Sequence, residues 1–226
     1  MCGRFALTDV SAETLTSAFG VDEVPDLAPR YNIAPTQPVA TVIQDAESGR
    51  RRLAIMRWGL IPSWSKDLTI GSRLINARGE TVHEKPSFRV ALRKRRCLVV
   101  ADGFYEWQAQ PSGPKQPLFI GLTDGAPFGM AGLYEYWTEP ESGETLTTCA
   151  IITTAANEFM APIHNRMPVI LPRDAYDPWL DPTLTDPVAA LSMLNPYPPD
   201  LMTAYPVSRR VNSPANDDPS VIERAG

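Results

Sequence analysis

The sequence predicts one α+β domain, mostly antiparallel, with short helices around the sheet. Three observations carry that class. Eight short runs rich in Val, Ile, Thr and aromatic residues are separated by turn residues, as strands are. The 23 prolines among 226 residues leave little uninterrupted chain for long helices. The strand runs also lack the regular intervening helices of 10–15 residues that a doubly wound parallel sheet requires. At 226 residues and 43% hydrophobic content the chain can bury a core of its own as one domain.

The elements follow in order. Residues 11–19 read as a helix. Ser11 is its N-cap, Leu15 and Phe19 share a face, Gly20 stops it, and Val10 can staple onto Leu15. Residues 25–38, PDLAPRYNIAPTQP, read as a proline-punctuated loop. Strands are expected at Val39–Gln44, Leu53–Trp58, Cys97–Ala101, Tyr105–Gln108, Leu118–Leu122, Met130–Tyr134, Leu146–Thr153 and Met202–Val207. Ser87–Arg95 reads as a helix with Phe88, Ala91 and Leu92 on one face, and Asp186–Leu194 as another. The domain is expected to span residues 1–212, and the polar stretch 213–226 to be a flexible tail.

No apolar run approaches the length of a membrane span. Arg4, Asp9 and Glu13 interrupt any signal-peptide stretch, so a cytoplasmic location is expected. Cys2, Cys97 and Cys149 are far apart and odd in number, and His83 and His164 are the only histidines. Neither a zinc site nor a disulfide framework is expected from that inventory, and no metal or cofactor is. The net charge of −5 argues against nucleic acid, but it is unevenly spread. Residues 1–113 hold 15 Lys and Arg against 12 Asp and Glu, a net of +3, and the second half is net −8. An anion site is expected in the first half, as a small basic face around Cys2.

Several residues could do chemistry. Cys2 follows the initiator methionine. Removal of Met1 would leave an amine and a thiol on adjacent carbons, a pair that condenses with an aldehyde to a thiazolidine ring. Beside it, Gly3 permits close backbone approach and Arg4 supplies a cation. In LINARGET (74–81), an extended segment would put Asn76, Arg78 and Glu80 on one face. In ADGFYEWQ (101–108), Glu106 stands between Tyr105 and Trp107. It is either a carboxylate raised for acid–base work or a solvent-facing residue beside a packed tryptophan. His164, in IHNRMPVIL, is the better catalytic candidate of the two histidines, and His83 reads as a surface residue. WGLIPSW mixes Trp58 and Trp64 with flanking Arg57 and Lys66, the composition of a single-strand binding surface or simply of a core. RKRR (93–96) falls at a helix end, where cations suit the helix dipole.

Separately these signals are weak; their order is specific. MCGRF, RYNIAP, WGLIPSW, LINARGET, ADGFYEW, ITTAAN, IHNRMPVIL and PVS, from Cys2 to about Asn212, resemble the SOS response-associated peptidase (SRAP) family. The resemblance implies a compact domain with an antiparallel or barrel-like core surrounded by short helices. It also implies recognition of abasic sites in single-stranded DNA and at single-strand/duplex junctions. The ring-opened abasic sugar presents an aldehyde, which the processed N-terminal cysteine traps as a thiazolidine crosslink.

Carried onto this chain, Cys2 is the nucleophile and Asn76 positions the N-terminus and the sugar. Glu106 shuttles protons, and His164 assists ring opening and Schiff-base chemistry. Arg4, Arg78 and Arg166 hold phosphates, while Pro35 and Trp64 line the DNA path. A monomer is implied, cytoplasmic and associated with the nucleoid when bound to damaged DNA. Departures from the pattern are Gly79, Asn165 and Met167. The last stands where a cation can occur, which would weaken DNA affinity. Two alternatives remain: a thiol peptidase or autopeptidase using Cys2, His164 and Asn76, and a binder of single strands that forms no covalent product.

Overall fold

The computed structural model describes residues 2–225. Its elements are β1 (Phe5–Leu7), α1 (Ala12–Phe19), β2 (Arg30–Ile33), β3 (Pro38–Gln44), β4 (Arg51–Trp58), β5 (Asn76–Arg78), α2 (Arg89–Lys94) and β6 (Arg96–Ala101). There follow β7 (Gly103–Gln108), β8 (Gln116–Leu122), β9 (Phe128–Thr138), β10 (Thr145–Ala155), β11 (Arg166–Pro168), α3 (Tyr176–Leu180), α4 (Pro187–Ser192) and β12 (Met202–Pro206), with short 3-10 turns between. The mixed α+β class expected from the sequence is the class observed.

Two sheets share the work. One is a five-stranded sheet in the order β12-β8-β7-β1-β2. In the other, β10, β4, β3, β6 and β9 pair in succession, and β9 pairs back onto β10 through Thr145–Ile151, so the ring closes into a barrel. Closure removes the free sheet edges that short strands would otherwise expose. The short strands β5 and β11 attach to the far half of β10, parallel and antiparallel respectively.

Local signals set the elements they should. The Ser11 hydroxyl accepts from the Thr14 N–H at 3.3 Å, and Gly20, at φ 65°, ends α1 in the left-handed conformation. Asp186 caps α4 through the Val188 N–H. The close approach of Gly59 and Gly71 holds the WGLIPSW turn. A Cβ on Gly59 would stand 2.6 Å from the Gly71 carbonyl oxygen, at a φ of +130° that side chains avoid.

Three sequence expectations need correction. Residues 25–38 are not loop throughout. Arg30–Ile33 form β2 against β1, paired Phe5 to Ile33 and Leu7 to Arg30. The RKRR run is not all helix end, because Arg96 opens β6 and is buried. Its guanidinium donates to the carbonyls of Leu92, Trp179 and Asp181 at 2.6–2.7 Å, satisfying the open ends of α2 and α3. The stretch after Asn212, expected to be loose, is tied down as far as residue 225. Val221 is wholly buried, Arg224 lies over the Tyr205 ring, and the Asp217 carboxylate accepts from the backbone N–H groups of Tyr31 and Asn32 at 2.6 and 2.8 Å.

That segment explains the two faces of the first sheet. Phe5, Phe104, Leu118 and Ile120 point into the main core shared with the barrel, where the Phe5 and Trp58 rings meet edge to face at 5.1 Å. Ala6, Tyr105 and Phe119 point the other way and are covered by Val207, Val211 and Val221. Asp217 also pairs with Arg30. Asp217→Ala is therefore expected to destabilise the fold by about 2 kcal/mol, since two backbone donors and a guanidinium lose their acceptor. A urea unfolding midpoint that does not move would remove this anchor from the stability of the domain.

Candidate functional site

Cys2 lies just ahead of β1 and is wholly buried. Its backbone carbonyl accepts from Asn76 Nδ2 at 2.7 Å, which joins the N-terminal strand of one sheet to β5 on the other. Asn76 reaches it because β5 runs parallel to β10, pairing Asn76 with Ile151 and Arg78 with Thr153. The other amide atom, Asn76 Oδ1, is buried without a hydrogen-bond donor among the described residues. It is left as an open acceptor.

Glu106 is on β7, beside β1. Strand alternation puts it on the Phe104 face, toward the core, and it is 3% exposed while Trp107 is half-buried on the opposite face. The reading with Glu106 in solvent and Trp107 inside is thus reversed. Burial pushes the Cys2 thiol well up from its ordinary value, and the nearby Glu106 carboxylate pushes it further. Both causes favour the protonated form of the thiol.

His164 precedes β11, in the turn that leaves β10. Its Nδ1 accepts from the Arg166 backbone N–H at 3.0 Å, closer than the 3.2 Å to the Arg166 carbonyl. A backbone N–H can only donate, so this contact fits the tautomer that carries its proton on Nε2, whereas the carbonyl contact would suit the other. The Arg166 side chain is held by two neighbours, Glu80 and Thr153. It forks onto Glu80, Nη1 to Oε1 at 2.5 Å and Nη2 to Oε2 at 3.0 Å, and Nη2 also reaches the Thr153 carbonyl at 2.7 Å and Thr153 Oγ1 at 3.1 Å. The Arg166 hydrogen bonds hold the Glu80 carboxyl below the usual carboxylate range.

The remaining predicted residues divide by environment. Arg4 is turned away from Cys2, and its Nη1 donates to Asn32 Oδ1 at 2.8 Å and the Val211 carbonyl at 2.7 Å. Asn32, which sequence reasoning did not single out, is buried and also donates to the carbonyls of Val211, Ser213 and Asn216. Its only sequence signal was its place in the RYNIAP motif. Arg78 is exposed at the end of β5. Pro35 is half-buried in the β2–β3 turn, next to Thr36, whose φ of 72° is unusual for a β-branched residue. The Thr36 N–H donates to the Trp58 carbonyl at 2.7 Å and Arg57 donates to the Thr36 carbonyl, so surrounding bonds hold the strained turn.

Trp64 is 61% exposed, whereas Trp58 is wholly buried. The loop beneath Trp64 is firm, because Trp137 Nε1 donates to the Ser65 carbonyl at 2.7 Å. Met167 is wholly buried, so its side chain lies in the core and away from any DNA surface. Gly79 has room for a Cβ at ordinary contact distance from Thr153 and Leu194. The other two thiols, Cys97 and Cys149, are buried in the barrel and are not disulfide-bonded. Among the described residues no three His, Cys, Asp or Glu side chains cluster as metal ligands would, and no helix is long and apolar enough to cross a membrane.

Residues 1–214 match the family model described as SOS response associated peptidase (SRAP). The chain belongs to the SRAP family. The relatives from Bacillus subtilis match it over nearly their whole length. The abasic site processing protein YoqW of Bacillus subtilis is 48% identical over 226 residues, covering 99% of each chain, and YoaM of the same organism is 46% identical. The abasic site processing protein HMCES of Gallus gallus is 38% identical over 223 residues, covering 86% of this chain and 66% of its own. A crystal structure of a protein from Bacteroides thetaiotaomicron superposes with a TM-score of 0.85 at 29% identity, covering 99% of this chain and all of the other.

Proposed function

We propose that this SRAP protein processes abasic sites in DNA by trapping the aldehyde of the opened sugar on Cys2. The names of its relatives support abasic-site processing. The observation that carries the finer chemistry is the meeting of Cys2, buried just ahead of β1, with Asn76 of β5 and Glu106 of β7.

Once Met1 is removed, the Cys2 amine attacks the aldehyde carbon and water leaves, giving a Schiff base. The sulfur then adds to the same carbon, and the thiol proton is transferred as the five-membered ring closes. Each turnover consumes one aldehyde and one aminothiol and releases one water. Asn76 holds the Cys2 carbonyl and so fixes the direction of the amine and the sulfur. Glu106 takes the thiol proton, a step required because burial keeps the sulfur protonated. His164, with its proton on Nε2, is a donor suited to the sugar oxygen during ring opening. Arg78, exposed at the end of β5, supplies a phosphate contact; Arg166, held by Glu80 and Thr153, shapes the site beside it, and Arg4 acts by bracing β1. Single strands and junctions are the substrates this reading favours, since Trp64 offers an exposed ring for an unpaired base.

A peptidase reading has less support. In a Cys-His-Asn triad the histidine donates from one nitrogen and accepts the thiol proton at the other. Here Nδ1 accepts from a backbone N–H, and the Asn76 amide nitrogen holds the Cys2 carbonyl.

The test is a single-stranded oligonucleotide with one abasic site, mixed with protein whose Met1 removal has been checked by intact mass. A band shift surviving SDS and boiling is the expected result, and no such band with processed, reduced protein overturns the proposal. Trp64→Ala is expected to weaken noncovalent single-strand binding about tenfold, the loss of one stacked base. Fluorescence anisotropy with an undamaged oligonucleotide measures it, and an unchanged affinity would take Trp64 off the DNA path.

A further inference from the structure

We propose that Glu80 is a positioning residue for His164, acting through the Arg166 fork; this rests on the role for His164 proposed above. Three segments meet at this point. Glu80 follows β5, the strand that carries Asn76; Thr153 is on β10; and Arg166 opens β11, two residues after His164. The Arg166 guanidinium bonds both carboxylate oxygens of Glu80 and both the carbonyl and hydroxyl oxygens of Thr153. A planar fork engaged on several sides fixes the backbone that bears it. The same residue's N–H is the donor to His164 Nδ1.

The clamp therefore reaches the imidazole through one amide. Holding that amide toward Nδ1 keeps the proton on Nε2, and it ties the His164 turn to the strand that presents Asn76. The Gly79 N–H donating to the Thr153 carbonyl at 2.8 Å completes the tie on the β5 side. Glu80 is half exposed, so it is not needed as core, and the buried partner is Arg166, whose side chain is 14% exposed. Glu80 also presents a negative charge near where a phosphate would approach Arg78, so a purely DNA-binding role for it has the wrong sign. Its effect on binding and its effect on chemistry should separate.

The experiment uses full-length protein with 15N-labelled histidine in a His83→Gln background, so that one imidazole remains. Nitrogen chemical shifts of His164 read which ring nitrogen bears the proton, without DNA. The parent is expected to show the Nε2–H form, and Glu80→Gln a mixture of the two forms. With abasic single strand at saturation, Glu80→Gln is expected to slow the first-order crosslinking constant about tenfold, as small misplacements of catalytic groups do. Affinity for undamaged strand should hold or tighten, and Glu80→Asp should recover most of the rate. Should Glu80→Gln fail to fold, Thr153→Val removes one fork contact and is expected to shift the tautomer mixture in the same direction.

An unchanged tautomer signature in the folded variant overturns the proposal. So does a weaker affinity with an unchanged saturating rate, which would make Glu80 a binding residue. A parent that never crosslinks defeats the functional reading, while the tautomer measurement still decides the clamp.

Discussion

Cys2→Ala is expected to leave no heat-stable adduct on an abasic oligonucleotide, a complete loss rather than a reduction. Alanine keeps the amine, so a Schiff base can still form, but without sulfur the ring cannot close and the imine hydrolyses. Borohydride should therefore trap the variant on DNA even though boiling releases it. Cys2→Ser should give at most a labile adduct, because oxygen closes a weaker ring on the imine carbon. Cys97→Ala and Cys149→Ala should crosslink as the parent does, since both thiols lie in the barrel core. A stable adduct from Cys2→Ala would remove the thiazolidine from the mechanism. Loss of the borohydride-trapped species as well would point to a folding defect, which the unfolding midpoint would reveal.

Glu106→Gln carries the second large effect, and it should act in opposite directions on two reactions. Crosslinking is expected to slow by about a hundredfold or more, the contribution of a positioned acid–base group. Glutamine has the same shape and cannot take the thiol proton. Alkylation of Cys2 by iodoacetamide in Met1-free protein should instead become faster. The sign follows from the thiol itself. Burial raises it first, and the Glu106 charge raises it further. Deleting the charge lets the thiol fall back toward its ordinary value, which enlarges the thiolate fraction at any given pH. In the parent protein, alkylation of Cys2 should keep climbing with pH beyond about 8.5, where a free cysteine levels off. Peptide mass spectrometry separates Cys2 from Cys97 and Cys149. Slower alkylation in Glu106→Gln would show that its carboxylate activates the sulfur at rest, contrary to the sign of its charge effect.

Much of the fold was legible in local patterns. The α1 helix was readable from Ser11, Leu15, Phe19 and Gly20, because caps and a helical period act within a few residues. The longer strands were readable from β-branched runs. The three-residue strands β1, β5 and β11 were not, because so short a segment has no period of its own. They are strands only because β7, β2 and β10 supply partners. The same limit hid β2, whose flanking prolines read as loop, and Arg96, whose charge read as surface although three helix-end carbonyls receive it.

The site was legible as an inventory. By itself the sequence determined which groups are present, their order, and the aminothiol that removal of Met1 would create, since these are covalent facts. Tertiary structure decided which of them meet and which are already engaged. It brought Cys2 to Asn76 and Glu106, and left Trp64 and Arg78 exposed. It also drew Arg4 to Asn32 and Arg166 to Glu80. The physical reason lies in which surface becomes covered. Alternation along β7 assigns Glu106 and Tyr105 to opposite faces, but both faces of that strand are buried. One is covered by the barrel and the other by a segment about a hundred residues downstream, and only the folded chain brings those coverings into place.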